Sequence, residues 1–189
     1  MKAILVLVML LFAGPVAAGP LEDVNAAYSR QDYSTAFRLI RPFAEQGDAK
    51  AQFNLAVMYA NGQGVPKDYA QAAKWCRLAA EQGYAKAQNN LGRMYDAGQG
   101  VPKDYAQAVK WFRLAAEQGN DKAQANLAVM YANGQGVAKD DVLAYMWFNL
   151  AAAGGNEEAG ENRDSIATRM TREQIAEAQR LSREWTPKQ

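Results

Sequence analysis

Few residues in this chain have the type and spacing to do chemistry. It has one cysteine, Cys76, and no histidine, so the commonest general base and metal ligand is missing and no intramolecular disulfide can form. No serine sits in an S-x-x-K pattern. Glu45, Glu81 and Glu117 recur once per 36 residues, too far apart for the paired carboxylates of acid–base hydrolysis; they read as solvated helix-face charges or loop hydrogen-bond acceptors. Glu157, Glu158, Glu161 and Asp164 form an acidic cluster, but at helical spacing, whereas a calcium loop needs ligands at alternating positions. The G-Q-G segments at 62–64, 98–100 and 134–136 suggest a phosphate cradle, yet no Lys-Ser/Thr pair opens a helix behind them after a strand. No enzyme, metal or cofactor is expected.

The elements that must position any binding residues follow from self-similarity. Residues 44–79, 80–115 and 116–151 are near-copies with a period of 36. A degenerate capping repeat precedes them at 19–43, and another, with a tail, follows at 152–189. Within each copy, apolar residues recur at helical spacing, as in Ala51, Leu55, Met58 and Tyr59, then Tyr69, Ala72, Trp75, Cys76 and Ala79. Each copy therefore reads as a pair of amphipathic helices. The N-G-Q-G-V-P-K-D break between them holds two glycines suited to positive φ and Pro66, which cannot continue a helix. Asp68 is expected to cap the second helix in a capping box with Gln71, and Asp104 with Gln107; Gly47, Gly83 and Gly119 end the second helices. Thr171 is the expected N-cap of a last helix running to about Trp185. One pair cannot bury its own apolar face, so the copies must stack. The fold class is all-α, an α/α solenoid of antiparallel helix pairs. Alanines and Gly92 permit close helix approach, and Trp75, Trp111 and Trp147 fill wider gaps. Cys76 stands where the next copies have Phe112 and Phe148, which makes it a buried, inert core residue.

The N-terminus suggests export. Lys2 precedes an apolar run from Ala3 to Ala13, and Val16-Ala17-Ala18 supplies a small-residue exit, the pattern of a signal peptide over 1–18 cut near Ala18. The run is too short to span a bilayer comfortably, no cysteine follows it, and no second apolar run appears. Loss of Lys2 leaves the mature chain formally neutral, since the full chain carries a net +1. A neutral chain without a basic block has no electrostatic footprint for nucleic acid or an anionic membrane. The expectation is a periplasmic or secreted protein, not inserted in a membrane, that recognises its partner by shape and local contacts.

The repeat motif A-x-A-Q-x-N-L-A/G-x-M-Y-x-x-G-x-G-V-x-x-D-Y-x-x-A-x-x-W-x-x-x-A-A-E-Q-G resembles that of the Sel1-like repeat (SLR) family, relatives of the tetratricopeptide repeat. The match runs from about Asp23 to Trp185. The resemblance implies a right-handed superhelix with the first helix of each pair lining the concave side, and, among exported bacterial members, work as regulators or scaffolds in the cell envelope, or as immunity or host-contact proteins. A cell-wall hydrolase is the rival the residues support least. Fold alone does not choose a partner.

Positions that differ between copies mark a candidate groove. Phe53/Asn89/Ala125, Val57/Arg93/Val129, Ala60/Asp96/Ala132 and Asn61/Ala97/Asn133 share one helical face, and Lys50, Lys86 and Lys122 begin it. By the tetratricopeptide resemblance Leu55 and Tyr59 pack, which puts the same face on the concave side. The groove is expected to be lined by Lys50, Phe53, Val57 and Asn61, then Lys86, Asn89, Arg93 and Asp96, then Lys122, Ala125, Val129 and Asn133. Phe53 with Val57 would form an apolar anchor site, and Arg93 with Asp96 a polar one. The alternative is that these positions vary because solvent leaves them unconstrained.

Overall fold

The computed structural model describes residues 20–188; the expected signal segment, 1–18, lies outside them. Among the described residues there are ten helices and no strand: α1 (Pro20–Ser29), α2 (Tyr33–Glu45), α3 (Ala49–Asn61), α4 (Tyr69–Glu81), α5 (Ala85–Ala97), α6 (Tyr105–Glu117), α7 (Asp121–Asn133), α8 (Asp141–Ala153), α9 (Glu157–Ala167) and α10 (Arg172–Glu184). Consecutive helices pack on one another from α1 to α9, so the pairs stack as a solenoid.

Local chemistry sets the ends of the helices. Asp48, Asp68, Asp104, Asn120, Asp140 and Asn156 each accept a hydrogen bond from a backbone N–H two or three residues on, satisfying donors that a helix start leaves orphaned. The capping boxes expected at Asp68/Gln71 and Asp104/Gln107 are only half formed. The backbone N–H groups of Asp68 and Asp104 donate across the turn to the carbonyls of Tyr59 and Tyr95, both at 3.0 Å, so no donor remains for the glutamines. Among the described residues the full box occurs once, at Thr171 and Gln174. Second helices end in a Schellman turn: Gly47 takes φ +98°, its N–H bonds to the Ala44 carbonyl, and the Asp48 N–H reaches back to Phe43.

The two glycines of each G-Q-G turn do different work. The first caps α3, α5 or α7 in the left-handed region. The second, Gly64, Gly100 or Gly136, lies against the backbone that opens the previous pair's second helix, at Tyr33, Tyr69 or Tyr105. Each turn is thus a contact between repeats, and a side chain there has nowhere to go.

The core follows the chain in three overlapping clusters: around Ile40 and Leu55, around Cys76 and Leu91, and around Phe112, Leu127 and Phe148. Alanines such as Ala72, Ala79, Ala108 and Ala115 are almost wholly buried and bring the helices close together. The expected tryptophans fit: Trp111 and Trp147 are buried and Trp75 is half-buried, although the Trp111 indole N–H has no acceptor among the described residues.

A ladder of glutamines, buried at Gln52, Gln88 and Gln124, also ties the pairs together. Gln52, Gln88 and Gln124 donate to the carbonyls of Ala44, Ala80 and Ala116, at 3.1, 3.1 and 3.3 Å. Gln82 and Gln118 in turn donate to Gln52 and Gln88, both at 2.8 Å. Gly154 occupies the next equivalent position, so Gln124 has no such donor. Gln88→Leu is therefore expected to cost about 1–3 kcal/mol by orphaning buried polar groups, and more than Gln124→Leu. Urea unfolding of the two variants checks the order.

The C-terminal pair departs from the pattern. Both α9 and α10 pack on α8, with Trp185 edge-on to Trp147. Beyond α10, Lys188 bonds through its backbone and its ammonium group to Glu117. Of the recurring glutamates, Glu45 pairs with Arg41 and Glu117 with Lys188, while Glu81 is exposed.

Arg169 forms a two-pronged pair with Asp141, at 2.9 and 2.6 Å, and the guanidinium holds that carboxyl below its ordinary value. Because the folded-state pKa is lowered, the stabilisation is fully present above the unfolded carboxylate range and disappears as pH falls through the folded value. Asp141→Asn should cost about 0.5–1 kcal/mol at neutral pH, as expected for a partly exposed pair. The difference from wild type should vanish in strong acid when both are unfolded by urea across a pH series.

Candidate protein-binding face

The first helices α3, α5, α7 and α9 share a face hollowed into two clefts. The first, of about 510 Å³, is walled by Ala56, Val57, Ala60 and Asn61 on α3 and by Asn90, Arg93, Met94, Asp96 and Ala97 on α5, with Tyr69, Ala72 and Cys76 of α4 at its base. The second, of about 390 Å³, lies among Asn89 and Arg93 on α5, Lys122, Ala125, Asn126 and Val129 on α7, and Asn156, Glu158, Ala159 and Asn162 at α9, above Phe148 of α8. Arg93 and Asn126 belong to both.

Of the groove residues expected from sequence, Val57, Asn61, Arg93 and Asp96 line the first cleft, and Asn89, Arg93, Lys122, Ala125 and Val129 line the second. Lys50, Lys86 and Asn133 are exposed but outside both. Two details differ from the expectation. Phe53 is half-buried and packs edge-on to Tyr84 at 5.4 Å, so its ring is partly spent within the fold. Tyr84 replaces the aspartate or asparagine that caps the equivalent helices, and it caps nothing. Asn89 is only 5% exposed and accepts a hydrogen bond from Asn126 at 2.9 Å, so it forms part of a wall and does not project.

Sequence reasoning passed over Asn90, Asn126, Glu158 and Asn162. Asn54, Asn90 and Asn126 are identical in every copy, so variation does not mark them; their period was the available signal. Glu158 and Asn162 lie where the repeat has decayed. Among the described residues the Asn90 amide makes no hydrogen bond, and Arg93 and Lys122 form no ion pair. The face presents polar groups free to meet a ligand.

The features that would mark chemistry are inert. Cys76 is buried, its thiol donates to the Ala87 carbonyl at 3.2 Å, and burial pushes its pKa up to about 12, which removes the thiolate at neutral pH. Among the described residues no group of three or more His, Cys, Asp or Glu is placed to hold a metal ion, and no helix is long and apolar enough to cross a membrane.

Stacked helix pairs with a hollowed first-helix face define an all-α repeat protein of the kind that binds along its length. The Sel1 repeat family profile matches residues 26–48, 49–84, 85–120 and 121–156, and the chain belongs to that family. Proteins built of these repeats generally mediate protein–protein interaction and typically act as non-enzymatic scaffolds. A protective antigen of uropathogenic Escherichia coli with an SLR fold is 38% identical, with a TM-score of 0.76 over 87% of this chain; the match spans 38% of that protein. A Sel1 repeat protein from Oxalobacter formigenes is 44% identical, with a TM-score of 0.62 over 67% of this chain and 95% of its own. Comparison with curated sequences returned no match.

Proposed function

We propose that this protein is an adaptor or regulator of the bacterial cell envelope that catalyses no reaction and holds a protein or extended peptide in the groove along its first helices. The observation that carries this reading is the pair of clefts joined at Arg93, which forms no ion pair among the described residues. The signal-like N-terminus supports an envelope or secreted location, and family membership supports a protein partner.

A photoreactive residue at Val129, which is 38% exposed beside the second cleft, tests the groove. A discrete crosslinked partner obtained from Val129 but not from Leu114, an exposed site on a second helix, is the expected result, and Arg93→Glu should abolish it. No adduct, or the same adduct from both positions, counts against the groove. A second reading, contact with a host protein, draws on the similarity to the protective antigen. Antibody access to intact cells separates the two: surface exposure favours host contact, and release only on opening the periplasm favours the envelope adaptor.

A further inference from the structure

We infer that the first cleft is a pocket for one large apolar side chain, aromatic by preference, carried by an acidic extended peptide. The inference rests on the groove reading above and adds the chemistry of the occupant.

The repeats themselves supply the comparison. Cys76 forms the base of the first cleft and Phe148, at the equivalent position two repeats on, the base of the second. The third equivalent, Phe112, is only 2% exposed. Where two repeats fill the space behind the first helices with their own ring, the first repeat has only a thiol, and its cleft is the larger. Beside Tyr69, the base is apolar at Ala72 and Cys76, and Ala56 of the α3 wall adjoins them. What fits there is the kind of group the other repeats supply internally.

Charge selects the rest of the ligand. Lys67, which lies over the Tyr69 ring, and Arg93 stand at the first cleft with one carboxylate, Asp96, and Arg93 and Lys122 outnumber Glu158 at the second, so cations are in excess at both. Neither Arg93 nor Lys122 forms an ion pair among the described residues. Acidic residues flanking the apolar anchor would meet these cations, and unpartnered Asn90 can bond a peptide backbone.

The test is selection of random linear peptides displayed on phage against the full chain, followed by affinity measurement on Cys76→Phe and Ala60→Leu. The first variant restores the ring of the other repeats; the coexistence of Ala128 with Phe148 in one pair shows that phenylalanine is tolerated opposite alanine. The second narrows the cleft from its α3 wall should the first misfold. Selected peptides should be acidic with one large apolar residue, and their affinity should fall about tenfold or more in either variant, as for the loss of a buried anchor. Peptides that bind the folded variants as well as wild type, or that are basic, overturn the pocket while leaving the groove intact. No selected peptide together with a partner crosslinked at Val129 does the same; no peptide and no crosslink remove both.

Discussion

Gly100→Ala should lower stability by about 3–4 kcal/mol, combining the left-handed penalty with overpacking against backbone. Gly100 takes φ +71°, and an added Cβ would overlap the Tyr69 carbonyl at the start of α4. Neither partner can give way, because the obstacle is main chain and the tyrosine opens a capped helix. Gly83 is the control, with φ +86° and nothing within 4 Å of an added Cβ. Gly83→Ala should cost only the conformational term, about 1–2 kcal/mol. Guanidinium unfolding followed by helical circular dichroism compares them. Equal losses would show that the turn does not bear on the preceding repeat as described.

Phe112→Ala should cost about 3–5 kcal/mol, in the range for deleting a buried ring. The side chain is 2% exposed, and its ring carbons would lie 2.6 Å from a Cβ on Gly92. Gly92 and Phe112 are therefore a matched pair. Phe112→Cys should be partly rescued by Gly92→Ala, because the added methyl then occupies space the ring has left, whereas in wild type it displaces the ring. The coupling should be about 1 kcal/mol or more, within the range for residues in contact. A double-mutant cycle measures it, and strict additivity would mean the two positions do not share a cavity.

These experiments probe contacts that differ in how far they could be read from residues alone. Helix pairs, glycine stops and aspartate caps were legible because each depends on local chemistry repeated at a fixed period. Thr171 and the helix up to Trp185 were legible for the same reason, even without a clean repeat. Gln71 and Gln107 were misread because a box motif says nothing about Tyr59 and Tyr95, whose carbonyls arrive through the turn and take the donor first. Asn89 was placed in the groove lining because helical phase gives a direction, and it does line the second cleft; only the neighbouring α7 showed that Asn126 closes over it. Phe53 likewise looked free until Tyr84 was placed against it.

By itself, the sequence determined an all-α stack of 36-residue helix pairs, the residues that start and stop each helix, a buried Cys76, and a face whose residues change from copy to copy. These follow from periodicity and backbone preference, which act over a few residues. Only the tertiary structure decided that the second glycine of each turn bears on the previous pair, that buried glutamines link the repeats, and that the variable face is cut into two clefts meeting at Arg93. Those features depend on which atoms of one repeat meet those of the next, a distance in space that the spacing within a repeat does not contain.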